Sequence, residues 1–288
     1  MSRLTAEHAL PAPLAARQRF DQAAATFETA CVVHDYTRAR LLERLPLVQL
    51  TPRTILDLGC ATGRAGLGLS EQYPKAQLIG VDTSLAMLER ARIAAPYDTT
   101  YLAADAEQLP LGAACIDLVF ANLVLPWTRP ERLFGEVARV LADGGLFVFA
   151  TLGPDSLKEV RRAWAAADDQ IHVHAFFDMH DLGDLTLAAG LLEPVIDVER
   201  IELSYLSLGA LVHDLRSCGA ANVAAGRRRG LTGPRRWAGF ERALGELKHN
   251  SRFGVTMELV FGQVWGGQGA GPGQEVAVPL SRIRRRRS

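Results

Sequence analysis

The stretch Thr54-Ile55-Leu56-Asp57-Leu58-Gly59-Cys60-Ala61-Thr62-Gly63-Arg64 constrains this chain more than any other. A short β-branched and apolar run reaches an acid, breaks into a glycine-punctuated turn, and resumes as Ala65–Ser70, which can start a helix. That order is the strand–turn–helix corner of an open α/β sheet, where ligands bind beyond the carboxyl ends of the strands. Gly59 and Gly63 supply conformations and a close backbone approach that a side chain would obstruct. The spacing, Gly59-x-x-x-Gly63-x-x-Gly66, is not the G-x-G-x-x-G that holds a pyrophosphate against a helix N-terminus. Asp57, ahead of the first glycine, would repel a pyrophosphate and suits a cationic ligand instead. By itself the stretch is also compatible with an ordinary strand–turn–helix corner that binds nothing.

Two further acids follow at the right distances. Gln77-Leu78-Ile79-Gly80-Val81-Asp82 reads as a second buried strand ending in a carboxylate, which can accept hydrogen bonds from both ribose hydroxyls of a nucleoside. Leu85, Met87 and Leu88 recur at helical spacing just beyond it, able to cover the ribose and adenine side. Asp105 ends the next strand, in Leu102-Ala103-Ala104-Asp105-Ala106. The Asp57–Gly63 block resembles motif I of class I S-adenosylmethionine (SAM) methyltransferases, with Ala61 where the middle glycine usually stands. The resemblance implies SAM as cosubstrate, whose ammonium and sulfonium suit Asp57. It places Asp57, Gly59, Cys60, Ala61, Gly63, Asp82, Thr83, Met87, Asp105, Ala106 and Asn122 around SAM, with Asp105 toward the adenine amino group.

At 288 residues the chain can hold one large α/β domain with insertions, or two small ones. An apolar content of 48% is ample for a buried parallel sheet, and no run approaches the ~18 apolar residues of a membrane span. Met1–Leu14 lacks a basic region followed by an apolar core, so a cytoplasmic protein without a secretory signal is expected. Cys31, Cys60, Cys115 and Cys218 are far apart and read as small apolar filler rather than a disulfide framework or zinc site. The net charge of zero hides an asymmetry. Residues 216–288 carry fourteen Lys/Arg against four acids, so the rest of the chain is as negative as this part is positive. Such polarity points to an anionic partner for the C-terminal part.

In chain order, residues 1–14 are expected to be flexible. Residues 15–46 read as helix, from Phe20, Ala23, Ala24, Phe27, Cys31 and Val32, and either fold over the ligand pocket as a lid or pack on the sheet edge. Strands are expected near 54–58, 77–82, 99–104, 115–121 and 145–151, with helices near 65–73, 84–94 and 130–141. The loop after the fourth strand borders the methyl-donor pocket in this fold, which makes Asn122 and Trp127 pocket-lining rather than general bases. Pro154–Asp168 reads as a helix capped by Asp155 or Ser156, and Leu182–Ala189 as one capped by Asp181 and closed by Gly190. His172, His174 and His180 lie close in sequence to Asp178 and Asp181 but lack the i,i+4 helical pair, so no metal is expected. Late strands are expected at 195–205 and 257–265, helices at 208–219 and 237–247, and a basic loop at 226–236. Residues 266–288 form a Gly- and Arg-rich tail expected to be disordered.

Three later blocks are more specific. They are Gly153-Pro154-Asp155-Ser156-Leu157-Lys158-Glu159-Val160-Arg161, His174-x-Phe176-x-Asp178-Met179-His180-Asp181-Leu182-Gly183-Asp184, and Gly226-Arg227-Arg228-Arg229-Gly230-Leu231-Thr232-Gly233. With them the chain, from about Arg17 to about Trp265, resembles the BioC family, the malonyl-[acyl-carrier protein] O-methyltransferases of biotin synthesis. The resemblance implies a Rossmann-like class I fold with a seven-stranded, mostly parallel sheet, helices on both faces and helical insertions after the fifth strand, over 15–265 with substrate-facing insertions in 152–256. The implied reaction esterifies the free carboxylate of a malonyl thioester on an acyl-carrier protein (or coenzyme A). A carboxylate is already a competent nucleophile, so no general base is needed, and positioning supplies the catalysis. Arg227, Arg228 and Arg229, with Arg216, Arg235 and Arg236, form a plausible docking surface for the acidic carrier; the alternative is a solvated loop. Two other functions fit parts of the chain. One is a related SAM-fold branch of arginine hydroxylases that assemble respiratory complex I. The other is a non-catalytic protein or nucleic-acid binder using the basic end, although no aromatic residues interleave there as a stacking platform needs.

Overall fold

The computed structural model describes residues 10–94 and 99–267. The sheet has seven strands in the order β3-β2-β1-β4-β5-β7-β6. They are β1 (Thr54–Leu58), β2 (Gln77–Asp82), β3 (Thr99–Ala103), β4 (Ile116–Asn122), β5 (Leu141–Leu152), β6 (Leu192–Tyr205) and β7 (Phe253–Trp265). β1 to β5 pair in parallel, and β7 runs antiparallel between β5 and β6. The order reverses at β1, between β2 and β4, and Leu58 ends β1 there. This is the switch point at which neighbouring connections leave toward opposite faces and open a crevice.

Strand alternation fills two cores. Ile55, Leu118, Phe120, Leu146 and Val148 pack on one face, and Leu56, Leu58, Val119, Phe147 and Phe149 on the other. Neighbouring residues therefore point to opposite faces and both are buried, which is why these strands read as continuous apolar runs. The first face is covered by α3 (Val32–Arg44), α4 (Arg64–Gln72), α7 (Lys158–Ala165), α9 (Leu208–Ser217) and α10 (Pro234–Gly245). The second is covered by α6 (Pro130–Val140) and α8 (Met179–Ala188). Leu133, Phe134, Val137 and Val140 share one face of α6 and are fully buried. Among the described residues, no helix is long and apolar enough to cross a membrane.

Several local expectations need correction. The N-terminal helical segment is broken into α1 (Pro13–Ala23), α2 (Phe27–Ala30) and α3, because Thr26 and Cys31 turn the chain between them. Residues 10–12 pair with a distant segment: Pro11 bridges Ala224, Ala12 N–H donates to the Val223 carbonyl at 2.8 Å, and Ala225 N–H to that of Leu10 at 2.8 Å. Residues 1–9, and the tail from 268 onward, lie outside the described residues. The helix expected from Pro154 begins only at Lys158, after Leu157 at φ 58°, and has no side-chain cap. Ser156 is instead buried against β7, donating to the Glu258 carbonyl at 3.0 Å and accepting from its N–H at 2.9 Å. Asp178, not Asp181, caps α8 by accepting from His180 N–H at 2.8 Å, one turn earlier than the sequence suggested. Pro at the first position starts α10 at Pro234, so Arg235 and Arg236 stand on a helix rather than in the basic loop.

Candidate active site

A cleft opens beyond the carboxyl ends of β1, β2 and β4. Asp57, Gly59, Cys60, Ala61, Asp82, Thr83, Asp105, Ala106, Asn122 and Trp127 all line it. The turn after β1 is held by Gly59 and Cys60 N–H, which donate to the Val81 carbonyl at 2.8 and 3.0 Å. Gly59 sits at φ 72°, and a Cβ there would meet the Val124 side chain at 2.8 Å, so the turn and its packing both require glycine. Ala61 has φ 46° and carries the backbone strain that a glycine would avoid. Its N–H donates to Asp82 Oδ2 at 2.9 Å, while Ser84 N–H donates to Oδ1 at 2.8 Å. Those bonds fix the Asp82 carboxylate at the end of β2, and each oxygen retains a lone pair for a ligand hydroxyl. Asp105 is fixed similarly, accepting from Glu107 N–H at 2.9 Å.

Two predicted residues stand apart from the cleft lining. Gly63 (φ 76°) precedes α4, and a Cβ there would strike the Tyr101 hydroxyl at 2.7 Å; the turn demands its glycine. Met87 is fully buried in a small cluster with Ala24, Phe27, Cys31 and Cys218, where it anchors the N-terminal helices to α5 (Leu85–Ala94). Periodicity put Met87 on the correct helix face but could not say which neighbour that face meets.

The electrostatics are unusual. Asp57 is buried at 3% exposure, and burial, with Asp82 nearby, pushes its carboxyl up to about 7 against the pull of Arg38. Burial also raises the Asp82 carboxyl. Two carboxylates sharing one cleft make a cation-seeking site. Burial pushes the Cys60 thiol far up as well, so it stays a neutral wall. All three buried side-chain polar atoms without a partner among the described residues belong to cleft-lining residues: His34 Nδ1, Thr62 Oγ1 and Asn122 Oδ1. Buried polar atoms are almost always paired, and such a concentration marks where a polar ligand completes the bonding.

The N-terminal helices close one side of the cleft with Arg17, Phe20, Phe27, His34 and Arg38, residues the motif reading did not single out. No motif marks them; their only signal was the amphipathic spacing. Asn122 ties this roof to the sheet, its Nδ2 donating to the His34 carbonyl at 2.9 Å. Trp127 is wedged edge-on against Phe20 and His174, with ring centroids 4.9 and 5.2 Å apart.

Beyond Trp127 lies a second, larger and mainly apolar cavity. His34, Leu123 and Trp127 face both hollows. Val160, Trp164, Leu211, Phe240 and Met257 line the second, so it is built mainly from the elements after β5, with Val32, Val33 and His34 of α3 closing it. His172 and Asn222 join it to a surface basin lined by Arg19 and by Arg227, Arg228 and Arg229. Arg235 and Arg236 lie outside that basin, Arg236 at 3.8 Å from Asp168, whereas Arg216 lines the larger cavity. The three histidines of the 172–181 block are separately engaged. His172 stacks on Trp164 at 3.6 Å and bonds Asp168 at 2.7 Å, His174 accepts from Val223 N–H at 2.8 Å, and His180 pairs with Asp178. Among the described residues, no cluster of His, Cys, Asp and Glu has the arrangement of a metal site.

Comparison with known proteins agrees with this geometry. Residues 56–149, which contain β2 to β4 and most of β1 and β5, match the family described as a methyltransferase domain. The chain is 39% identical to the malonyl-[acyl-carrier protein] O-methyltransferase of Methylovorus sp. over 91% of this chain and 90% of that protein. With the protein of the same name from Halorhodospira halophila it shares 41% identity, covering 94% and 95% of the two chains. The crystal structure of YcgJ from Bacillus subtilis superposes with a TM-score of 0.57 at 17% identity, over 82% of this chain and all of that one, which supports the fold alone. By sequence and architecture together, the chain belongs to the malonyl-[acyl-carrier protein] O-methyltransferases, SAM-dependent enzymes of the class I fold.

Proposed function

We propose that the chain transfers the methyl group of SAM to the free carboxylate of malonyl-[acyl-carrier protein], the step that begins pimeloyl assembly for biotin, in the cytoplasm. The observation that carries the SAM assignment is the convergence of Asp57, Asp82 and the unpartnered side-chain oxygens of Thr62 and Asn122 on one cleft at the switch point. SAM supplies an activated methyl on a cationic sulfur. Asp57, with Gly59, Cys60 and Ala61 around it, receives the ammonium end, and the N-terminus of α4 at Arg64 and Ala65 favours the carboxylate beside it. Asp82 and Thr83 hold the ribose, Asp105 and Ala106 border the adenine, and Asn122 and Trp127 flank the methyl. In the transfer, a carboxylate oxygen forms a bond to the methyl carbon as the sulfur–carbon bond breaks and leaves its electron pair on sulfur. No proton moves, so the protein's contribution is alignment and exclusion of water.

The carrier approaches the basin of Arg227, Arg228 and Arg229, with Arg235 and Arg236 on the adjacent helix α10 extending the positive field. Its prosthetic arm passes His172 and Asn222 into the apolar cavity, and the malonyl group reaches the cleft at Trp127. The N-terminal helices serve as the lid over SAM, and residues 152–256 as the acceptor-facing part. The deciding assay is transfer from methyl-labelled SAM to malonyl-carrier protein. Label on the carrier, removed by mild base as expected for a methyl ester, supports the reading; no label on any malonyl thioester rejects it.

A further inference from the structure

Among the described residues, only three face both the cleft and the apolar cavity: His34, Leu123 and Trp127. An acceptor entering through the cavity must present its carboxylate between them. Leu123 offers nothing polar, and Trp127 is clamped edge-on between Phe20 and His174. His34 differs. Its carbonyl is tied to Asn122 at 2.9 Å and its ring packs edge-on against Phe27 at 5.0 Å, so the imidazole is held in place. Yet Nδ1 is buried without a partner. Burial lowers the ring to about 4, so it is neutral near pH 7 and carries one proton. An orphaned buried N–H is rarer and costlier than an orphaned acceptor, so the proton belongs on Nε2 and Nδ1 is left bare.

The arginines lining the cleft do not compete for this role. Arg17 lies 3.7 Å from Asp21, Arg38 2.7 Å from Asp35, and Arg64 3.4 Å from Asp35. Arg17 pairs with Asp21, and Arg38 and Arg64 share the carboxylate of Asp35. A neutral donor is also the better choice on energetic grounds. The charges of carboxylate and sulfonium cancel as the new bond forms, so a full cation would grip the ground state harder than the transition state.

We propose that His34 binds the acceptor's free carboxylate, donating from Nε2–H, and thereby selects acyl groups whose carboxylate reaches the junction of the two cavities. This rests on the methyl-transfer reading above. The test compares His34→Phe and His34→Gln with the unaltered protein, measuring acceptor KM and kcat with malonyl-carrier protein, and SAM affinity by calorimetry. His34→Phe is expected to raise the acceptor KM about tenfold or more, the loss of one hydrogen bond to a charged group, with SAM affinity unchanged. His34→Gln, which retains an N–H, is expected to recover most of the loss. Unchanged acceptor KM in His34→Phe overturns the proposal, and so does a fall in SAM affinity as large as the rise in acceptor KM. An unaltered protein that methylates no malonyl thioester removes the underlying reading, and the His34 role with it; that outcome is visible before any variant is made.

Discussion

The two halves of the molecule use opposite electrostatics. Around β1, β2 and β3 the chain concentrates carboxylates in a small cleft, with Asp57 buried, Asp82 half-buried, and both pushed upward by desolvation. After β5 the helices enclose an apolar hollow whose outer mouth is rimmed by arginines. The first half offers a few fixed, backbone-held acids; the second offers shape and a diffuse positive field. Losing one fixed acid should therefore cost more than losing one rim charge. Screening by salt should weaken the rim and spare the cleft.

The largest expected effect comes from the cleft. Asp82→Ala should weaken SAM binding by about 1.5–3 kcal/mol, the range for hydrogen bonds to a charged group, measured by calorimetry. Unchanged affinity would break the ribose assignment. Next comes pH. With its carboxyl near 7, Asp57 holds a proton in the free protein at pH 6 and has lost it at pH 8. If the SAM cation needs the ionised form, affinity should fall about tenfold from pH 8 to pH 6, with proton release on binding near pH 7. A raised carboxyl contributes stability that is complete below its unfolded value of 3.8 and is lost as pH rises through about 7. Saturating SAM should offset that loss, so the gain in Tm on adding SAM should grow with pH. A flat gain would place the cation elsewhere.

Reversing the charges of Arg227, Arg228 and Arg229 to Glu should raise the KM for malonyl-carrier protein by roughly tenfold at low salt, and less at high salt. A small malonyl thioester should be affected less, and SAM affinity not at all. Equal effects on both acceptors would deny the basin a role in docking. The smallest effect concerns Ala61, whose φ of 46° a glycine would adopt freely. Ala61→Gly should change stability by less than about 1 kcal/mol, because relief of strain is offset by a more flexible unfolded chain. Denaturant unfolding would reveal a larger change and, with it, a packing role for the Ala61 methyl.

Legibility in the sequence followed the same division. β1 to β5, the turn at Gly59 and the carboxylates Asp57, Asp82 and Asp105 could be read directly, because a buried parallel strand is a local apolar run and its acid sits at a fixed distance from the glycine turn. The caps of the later helices were misplaced. Asp155, Ser156 and Asp181 all suit a cap locally, but Ser156 is drawn into bonds with Glu258, about a hundred residues away. Met87 fell on the buried face of its helix, yet against the N-terminal helices instead of in the cleft. His34 carried no motif at all.

The sequence by itself determined the parallel strands, the glycine turn after the first of them and the carboxylates that line the cleft, because those depend on short-range pattern and on the reach of a single strand–turn–helix unit. Tertiary structure alone decided that α1 to α3 roof the cleft and that the chain after β5 encloses a second cavity. Only there did His34 come to stand at their junction with an unpartnered nitrogen. Those facts depend on contacts between segments far apart in the chain, and no local spacing encodes which distant partner a buried face will meet.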